Sequence, residues 1–229
     1  MSKSRRDFLR YGAASLGAVV AGGCAPTPSF IDEDDRLWRP DGLSGPRPAP
    51  FLDTGVWSDT AATAPSCATT TPFFEGPYYR PNAPSRWDLR TLGEAGTLLT
   101  ISGTVRSALD CALLPGAILE IWHVKQDGTY DMTTSTMHYR AKVEIGFEGC
   151  YTFTTVKPIP YPVENNRMMP AHFHFRLNAA GHTELVTQLR FLNDPYDDGT
   201  CPTSLMMSPT VNSDGSEDTV FDFALDVGN

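Results

Sequence analysis

The 229-residue sequence carries a formal net charge of −9 at pH 7, because 27 Asp and Glu residues outnumber 18 Lys and Arg residues. An acidic chain offers no basic footprint for a phosphate backbone, so nucleic acid is excluded as an expected partner. With 41% hydrophobic residues, a chain of this length can bury one substantial core.

The N-terminal segment, residues 1–23, is predicted to be a twin-arginine export signal. The pair Arg5 and Arg6 is followed by Phe8 and then by an apolar run rich in Gly and Ala, which is the order of parts in such a signal. The run is too short and too rich in small residues to span a bilayer permanently. Small residues precede Cys24, as in lipoprotein processing sites, and two outcomes stay open: a lipid anchor on Cys24 or simple cleavage. In both cases we expect a periplasmic or cell-surface protein, with the membrane as a partner only through that anchor.

Residues 24–65 are predicted to be an extended linker. They are rich in Pro and show neither the helical nor the strand period. Residues 66–229 then form one predicted domain, because this length is typical of a single fold.

Four cysteines lie in the predicted domain: Cys67, Cys111, Cys150 and Cys201. An even number in an exported chain predicts two disulfides, because the compartments outside the cytoplasm are oxidising. The three possible pairings stay open. A cysteine-based metal site is the alternative, but no pair has the CxxC spacing of such sites.

The domain is predicted to be all-β. Short segments alternate between apolar and polar residues, and Gly and Pro turns separate them. The predicted strands cover residues 98–105, 117–123, 151–156, 172–177 and 185–191, with a further segment over 220–226. No segment has the period of a long helix, so these strands predict a β-sandwich.

The pattern His172-Phe173-His174 is the strongest chemical signal in the chain. Residues two apart on a strand share a face, so the two histidines point one way while Phe173 and Phe175 point the other. Two imidazoles side by side on a rigid strand make half of a metal site. The alternative for this pattern alone is a pair of half-exposed histidines on the surface of a sheet.

Several motifs occur in the order found in one protein family. They are Glu75-Gly-Pro-Tyr-Tyr79, Gly128-Thr-Tyr130, Pro158-Ile-Pro-Tyr161, Pro170-Ala-His-Phe-His-Phe175 and Thr187-Gln188. Together they resemble the intradiol ring-cleavage dioxygenases, which act on catechol, hydroxyquinol or protocatechuate. The resemblance covers about residues 67–195, and the Cys67 that precedes the first motif is similar to the exported branch of that family.

The resemblance implies a β-sandwich of the intradiol dioxygenase type that holds a non-haem Fe(III). By resemblance, the four protein ligands are Tyr130, Tyr161, His172 and His174. Phenolate is a hard anionic donor that favours ferric iron, and imidazole also suits iron. The family reaction opens an aromatic diol between its two hydroxyl groups, so a small catechol and O2 are the implied partners. Tyr161 is also implied as a base for a substrate proton, and Gln188 as a donor near the site.

One position departs from the family pattern. The family usually has Arg three residues before the first histidine of the pair, where this chain has Met169. That Arg helps stabilise the anionic substrate, so another cation is needed if the reaction is retained. Arg167 is the first candidate for this catalytic role because it lies two residues away, and Arg140 and Arg190 are the other candidates.

Two other functions stay open on the sequence. One is a non-catalytic sandwich lipoprotein that uses the fold to bind a metal or another ligand. The other is a copper site formed by His172 and His174 with Met168 or Met169, since thioether and imidazole suit copper.

Overall fold

The computed structural model describes residues 67–91, 93 and 95–228. The predicted export signal and linker, with Cys24, lie outside these described residues. The described part consists of strands, loops and two short 3₁₀ turns, Glu164–Asn166 and Thr203–Leu205. None of its helices is long and apolar enough to cross a membrane. In chain order the strands are β1 Leu98–Ser107, β2 Ile118–His123, β3 Arg140–Glu144, β4 Cys150–Val156, β5 Tyr161–Pro162, β6 Met168–Met169, β7 His172–Asn178, β8 Leu185–Phe191, β9 Met206–Met207, β10 Thr210–Val211, β11 Glu217–Val220 and β12 Phe223–Leu225.

The first sheet is organised around β1, which has partners on both sides. On one side it pairs antiparallel with β4 over its first seven residues. On the other side it pairs in parallel with β11 and, further along, with β12, while β10 extends the sheet beyond β11. A Cβ on Gly103 of β1 would lie 1.9 Å from the Phe221 carbonyl oxygen. Only glycine therefore fits where the edge of β1 passes from β11 to β12.

The second sheet has the strand order β3-β2-β7-β8-β9. The strands β3, β2, β7 and β8 are antiparallel to their neighbours, and β9 joins β8 in parallel. Phe173 and Phe175 of β7 point to the first sheet, where their rings lie 6.1 and 6.2 Å from that of Phe153. The core therefore lies between the two sheets, and burying each such ring stabilises the fold by about 1.5–3 kcal/mol before entropy is counted.

The prediction of an all-β sandwich is confirmed. The five predicted strands correspond to β1, β2, β4, β7 and β8, and the further segment over 220–226 contains β12. Strand β3 alternates between charged and apolar residues but was not predicted, because it is short and has only two apolar residues, Ala141 and Val143. That strand matters, because it extends the face on which the candidate site lies.

The prediction of two disulfides among the four cysteines of the domain is wrong. Cys67 is bonded to Cys111, and this bond ties the segment before β1 to the loop after it. Cys201 is a free thiol, and it is buried in the core. The even count indicated that all four would pair with one another, but Cys201 is a small apolar core residue, as buried cysteines often are.

Candidate active site

The outward face of the second sheet carries large and polar side chains that are almost fully buried. In the register of the strands, Gln188 of β8 lies opposite His174 of β7, His174 opposite Trp122 of β2, and Trp122 opposite Arg140 of β3. None of the four is more than 2% exposed. Polar and charged side chains are rarely this buried without a role, so the row marks a covered site rather than an ordinary outer surface.

Chain segments outside the two large sheets cover this face. The Glu-Gly-Pro-Tyr-Tyr segment brings Tyr78 onto Tyr130, with the two rings stacked 4.3 Å apart. The next residue, Tyr79, lies under the guanidinium of Arg176 at 4.1 Å. The hairpin of β5 and β6 closes another side and carries Tyr161. These covers exclude water from the row of polar side chains beneath them.

The four side chains predicted to be metal ligands come together under this cover. The Tyr130 hydroxyl oxygen lies 3.2 Å from His172 Nε2 and 3.1 Å from His174 Nε2, and the two Nε2 atoms are 3.0 Å apart. The Tyr161 ring lies 5.7 Å from both the Tyr130 and the His172 rings. All four residues are buried. The sequence brings together three separate parts of the chain at one point of the fold.

The two histidines are held neutral, with ring nitrogens directed at each other. Burial lowers the pKa of His172 to about 4 and lowers the pKa of His174 well below its usual value. His172 Nδ1 bonds to the Pro170 carbonyl oxygen at 2.7 Å. A carbonyl only accepts, so Nδ1 carries the proton and Nε2 presents its lone pair to the centre. This is the tautomer that a metal ligand needs.

The two tyrosines are neutral phenols in the absence of a cation. Burial raises the pKa of both Tyr130 and Tyr161, and the neighbouring phenol raises that of Tyr130 further. Ionising either phenol in this dry site requires a positive charge close by. A bound metal cation supplies that charge and deprotonates an oxygen ligand outright.

Gly76 lies directly against one of the imidazoles. Its φ angle is +71°, and a Cβ at this position would lie 3.0 Å from His174 Cε1. A contact this short requires the ring to move, so the absence of a side chain at Gly76 lets the covering segment approach the centre. The backbone at Gly76 therefore packs directly against the His174 ring.

The donor set fits a ferric ion. Two phenol oxygens and two imidazole nitrogens converge, and hard anionic oxygen together with imidazole suits Fe(III). Within the described residues, no three His, Cys, Asp or Glu side chains group as a metal site. The candidate centre has two histidines, and tyrosine supplies its other two donors.

Gln188, predicted to be a donor near the site, lies beside His174 and is buried. Its Nε2 donates to the Phe74 carbonyl oxygen at 2.7 Å. Its Oε1 has no hydrogen-bond partner among the described residues. Gln188 thus ties the covering segment to the sheet and keeps one polar atom unused.

Arg167, the first candidate for the missing cation, is not buried with the candidate ligands. It is exposed and follows the 3₁₀ turn between β5 and β6. Met169, at the position of the family arginine, pairs with Tyr161 across the hairpin and packs on the aromatic cluster of the site. A thioether therefore stands beside the centre where a guanidinium was expected.

The other two candidate arginines, Arg140 and Arg190, are both buried on the site face. Arg190 lies opposite His172 in the register and forms an ion pair with Asp198 at 3.0 Å. After burial, Arg190 is a further cause of the lowered pKa of His172, and Arg140 is one for His174. Two positive charges therefore flank the candidate ligands.

Sequence reasoning missed some side chains of the site. Trp122 stacks on the His174 ring at 5.0 Å with the planes 3° apart. Its position in the alternating strand places it on the face opposite Ile121, but only the register with β7 brings it beside a histidine. The role of Gly76 could have been inferred from the sequence, since a glycine inside a motif indicates an unusual backbone angle or a close approach of the backbone to another group.

Comparisons with known proteins show that the domain is similar to dioxygenases. A family model described as "Dioxygenase" matches residues 74–226. A chlorocatechol 1,2-dioxygenase from Cupriavidus pinatubonensis is 33% identical over 142 residues, which are 53% of this chain and 54% of that protein. The chain therefore spans about half the length of this relative.

Solved structures agree with that match. The dioxygenase domain of a dioxygenase and carbohydrate-binding protein fusion from Streptomyces sp. SirexAA-E is 31% identical, with a TM-score of 0.61, and the match covers 70% of this chain and 100% of that one. Chlorocatechol 1,2-dioxygenase from Pseudomonas putida is 27% identical, with a TM-score of 0.62 and coverage of 70% and 73%.

The N-terminus matches a different model. Residues 1–32 match one described as "Ubiquitinol-cytochrome C reductase Fe-S subunit TAT signal". This match supports the predicted twin-arginine export. Attachment through Cys24 stays a prediction.

Proposed function

The chain belongs to the intradiol ring-cleavage dioxygenase family, and we propose that it is a non-haem Fe(III) enzyme that opens a catechol-type ring between its two hydroxyl groups with O2. One observation carries the proposal. Two buried phenols and two neutral imidazoles converge, with donor atoms 3.0–3.2 Å apart among Tyr130, His172 and His174, and with the Tyr161 ring 5.7 Å from the Tyr130 ring.

In this proposal Tyr130, Tyr161, His172 and His174 hold the metal. When bound, ferric iron acts as a Lewis acid that keeps phenol oxygens ionised and withdraws electron density from a catecholate. The two imidazoles are fixed by β7, whereas Tyr161 lies on the two-residue strand β5. Because a short hairpin restrains Tyr161 less than the central sheet restrains the histidines, Tyr161 is the ligand best able to move and accept a substrate proton.

The surroundings of Tyr161 suit an aromatic ring. Tyr78, Ile159, Val163 and Met169 are partly buried apolar side chains that pack on the same cluster. Together they offer an apolar wall beside the phenol donors, which is the usual composition of a small-molecule site. Gln188 keeps one polar atom free to orient water or a substrate hydroxyl. A small aromatic diol is therefore the proposed substrate.

The test is metal analysis and a visible spectrum of the purified protein, followed by O2 uptake with catechol and identification of the product. We expect about one ferric ion per chain and a reddish colour from phenolate-to-iron charge transfer. His172→Ala should lose most of the iron, and Tyr130→Phe should change the colour. The matched control is His182→Ala, which removes a histidine outside the four candidate ligands.

Several outcomes contradict the proposal. A colourless protein that holds zinc or copper after growth with ample iron counts against a ferric centre. Preference for copper that depends on Met169 supports the copper site instead. An iron protein that consumes no O2 with any catechol supports a binding role.

The proposed location is outside the cytoplasm, with a lipid on Cys24. Wild-type protein should fractionate with membranes, and Cys24→Ser should release it. Recovery of unmodified wild-type protein in the soluble periplasm contradicts the anchor but not the export.

A further inference from the structure

Arg140 is a buried cation whose hydrogen-bond partners are uncharged. The residue is 1% exposed. Its Nε donates to the Asp131 carbonyl oxygen at 2.9 Å, and its Nη2 lies 3.3 Å from the Met132 sulfur. Its Nη1 has no hydrogen-bond partner among the described residues. A buried charge is costly unless it is paired, so the arrangement is poorly explained by stability alone.

The Asp131 side chain does not pair with Arg140, because other groups already bind it. Asp131 accepts hydrogen bonds at its side chain from the backbone N–H groups of Thr133, Thr134 and His138. Arg80 forms an ion pair with it at 3.5 Å. The contact of Arg140 with this residue is therefore through the backbone carbonyl.

The position of Arg140 connects it to the candidate centre by two routes. Along the chain, the carbonyl that it binds belongs to Asp131, the residue that follows Tyr130. Across the sheet, it lies opposite Trp122, whose ring stacks on His174. Arg140 thus hydrogen-bonds to the residue next to a phenol ligand and is the strand neighbour of the tryptophan that stacks on an imidazole ligand.

The loop between Tyr130 and Arg140 needs such restraint. Met137 and Tyr139 have positive φ angles of 49° and 54°, a region that side chains other than glycine rarely adopt. Arg86 binds the carbonyl oxygens of Met137 and Arg140, at the far end of this loop. Arg140 binds at the near end, directly after Tyr130. The two arginines therefore hold the same loop at different distances from the centre.

Resting on the proposed function, we propose that Arg140 is a positioning residue of the metal centre. Its guanidinium fixes the Tyr130 phenol through the Asp131 carbonyl, and its positive charge balances the negative charge of the phenolates in the occupied centre. This role is separate from that of Arg167, which is exposed, and from that of Arg190, which forms an ion pair with Asp198.

The experiment compares Arg140→Met, Arg140→Lys and the control Arg86→Met, all in the full-length protein. Three quantities are measured: the ferric affinity by chelator competition, the phenolate charge-transfer band, and the thermal unfolding of the metal-free protein. Arg140→Met should lose about 10–100-fold in ferric affinity, the range typical for a partner that supports a ligand, and should shift the band. Arg140→Lys keeps the charge but not the fork of N–H groups, so it should bind iron like the wild type and still shift the band. Arg86→Met should lower the melting temperature and leave the band in place.

These outcomes separate a positioning role from a structural one. Equal band shifts in Arg86→Met and Arg140→Met would overturn the proposal, because both would then report only the loop. Wild-type affinity and an unmoved band in both Arg140 variants would overturn it as well. If Arg140→Met does not fold, the charge-transfer band of Arg140→Lys is the test: a shifted band supports the positioning role, and an unshifted band overturns it. If the wild-type protein holds no ferric iron, both the proposed function and this inference are refuted. If the wild type holds iron and the Arg140 variants keep its ferric affinity and its charge-transfer band, only this inference is refuted.

Discussion

Replacing Gly76 with Ala tests how closely the covering segment fits the candidate centre. The new Cβ would lie 3.0 Å from His174 Cε1, whereas ordinary contacts begin at 3.4 Å. The imidazole must therefore move by about 0.4 Å, and metal–ligand distances tolerate only about 0.2 Å. We expect a loss of about 10–100-fold in ferric affinity, the range found for perturbed ligand supports.

The same substitution also strains the backbone, and this contribution needs its own control. Gly76 and Gly116 have φ angles of +71° and +79°, but a Cβ at Gly116 meets nothing within 4 Å. Gly116→Ala should therefore cost only the left-handed penalty of about 1–2 kcal/mol. The difference between the two variants isolates the contact with His174.

The assay is urea unfolding of the metal-free proteins, followed by chelator competition for iron. Gly116→Ala should be destabilised and should bind iron like the wild type. Gly76→Ala should be destabilised at least as much and should bind iron more weakly. Equal ferric affinity in the two variants would refute the reasoning, because the close approach would then have no consequence for the centre.

Three further predictions concern export, the disulfide and pH. Replacing Arg5 and Arg6 with Lys should leave the protein in the cytoplasm, as judged by cell fractionation, and normal export would contradict the twin-arginine signal. Cys67→Ser should lower the free energy of unfolding by about 4 kcal/mol under oxidising conditions, from the closure entropy of a 44-residue loop; no loss in urea unfolding would contradict this. Burial lowers the pKa of His123 from 6.5 to about 3, so the unfolded chain binds a proton more readily and stability should fall as pH drops below 6.5, by up to about 1.4 kcal/mol per pH unit. His123→Gln should flatten the pH dependence of urea unfolding for the metal-free protein, and an unchanged slope would show that His123 is not its source.

The core of the fold was predictable because its signal is local. Phe173 and Phe175 alternate with His172 and His174, and this alternation predicts both the strand and its two faces. The alternative of two half-exposed histidines does not hold in the folded site, since both are at most 2% exposed. Residues distant in the sequence cover them, and no local period encodes that cover.

The ranking of the three candidate arginines was not predictable for a related reason, although Arg140 was among them. Arg167 is near the histidines in sequence, but it lies on the exposed side of a hairpin. Arg140 is 32 residues before His172 in the numbering and reaches the site face only through the pairing of β3 with β2. Pairing between strands depends on the whole fold, so distance along the chain was a poor guide to distance in space.

The placement of β11 and β12 beside β1 has a consequence for the order of synthesis and export. The Thr104 amide donates to the Asp222 carboxylate, 118 residues further along the chain. The first sheet therefore cannot close until Asp222 has left the ribosome, long after the predicted export signal at residues 1–23 has emerged. The twin-arginine route carries proteins that have already folded, so export by this route follows the closure of the sheet. Export of an unfolded chain would instead begin before the sheet has formed.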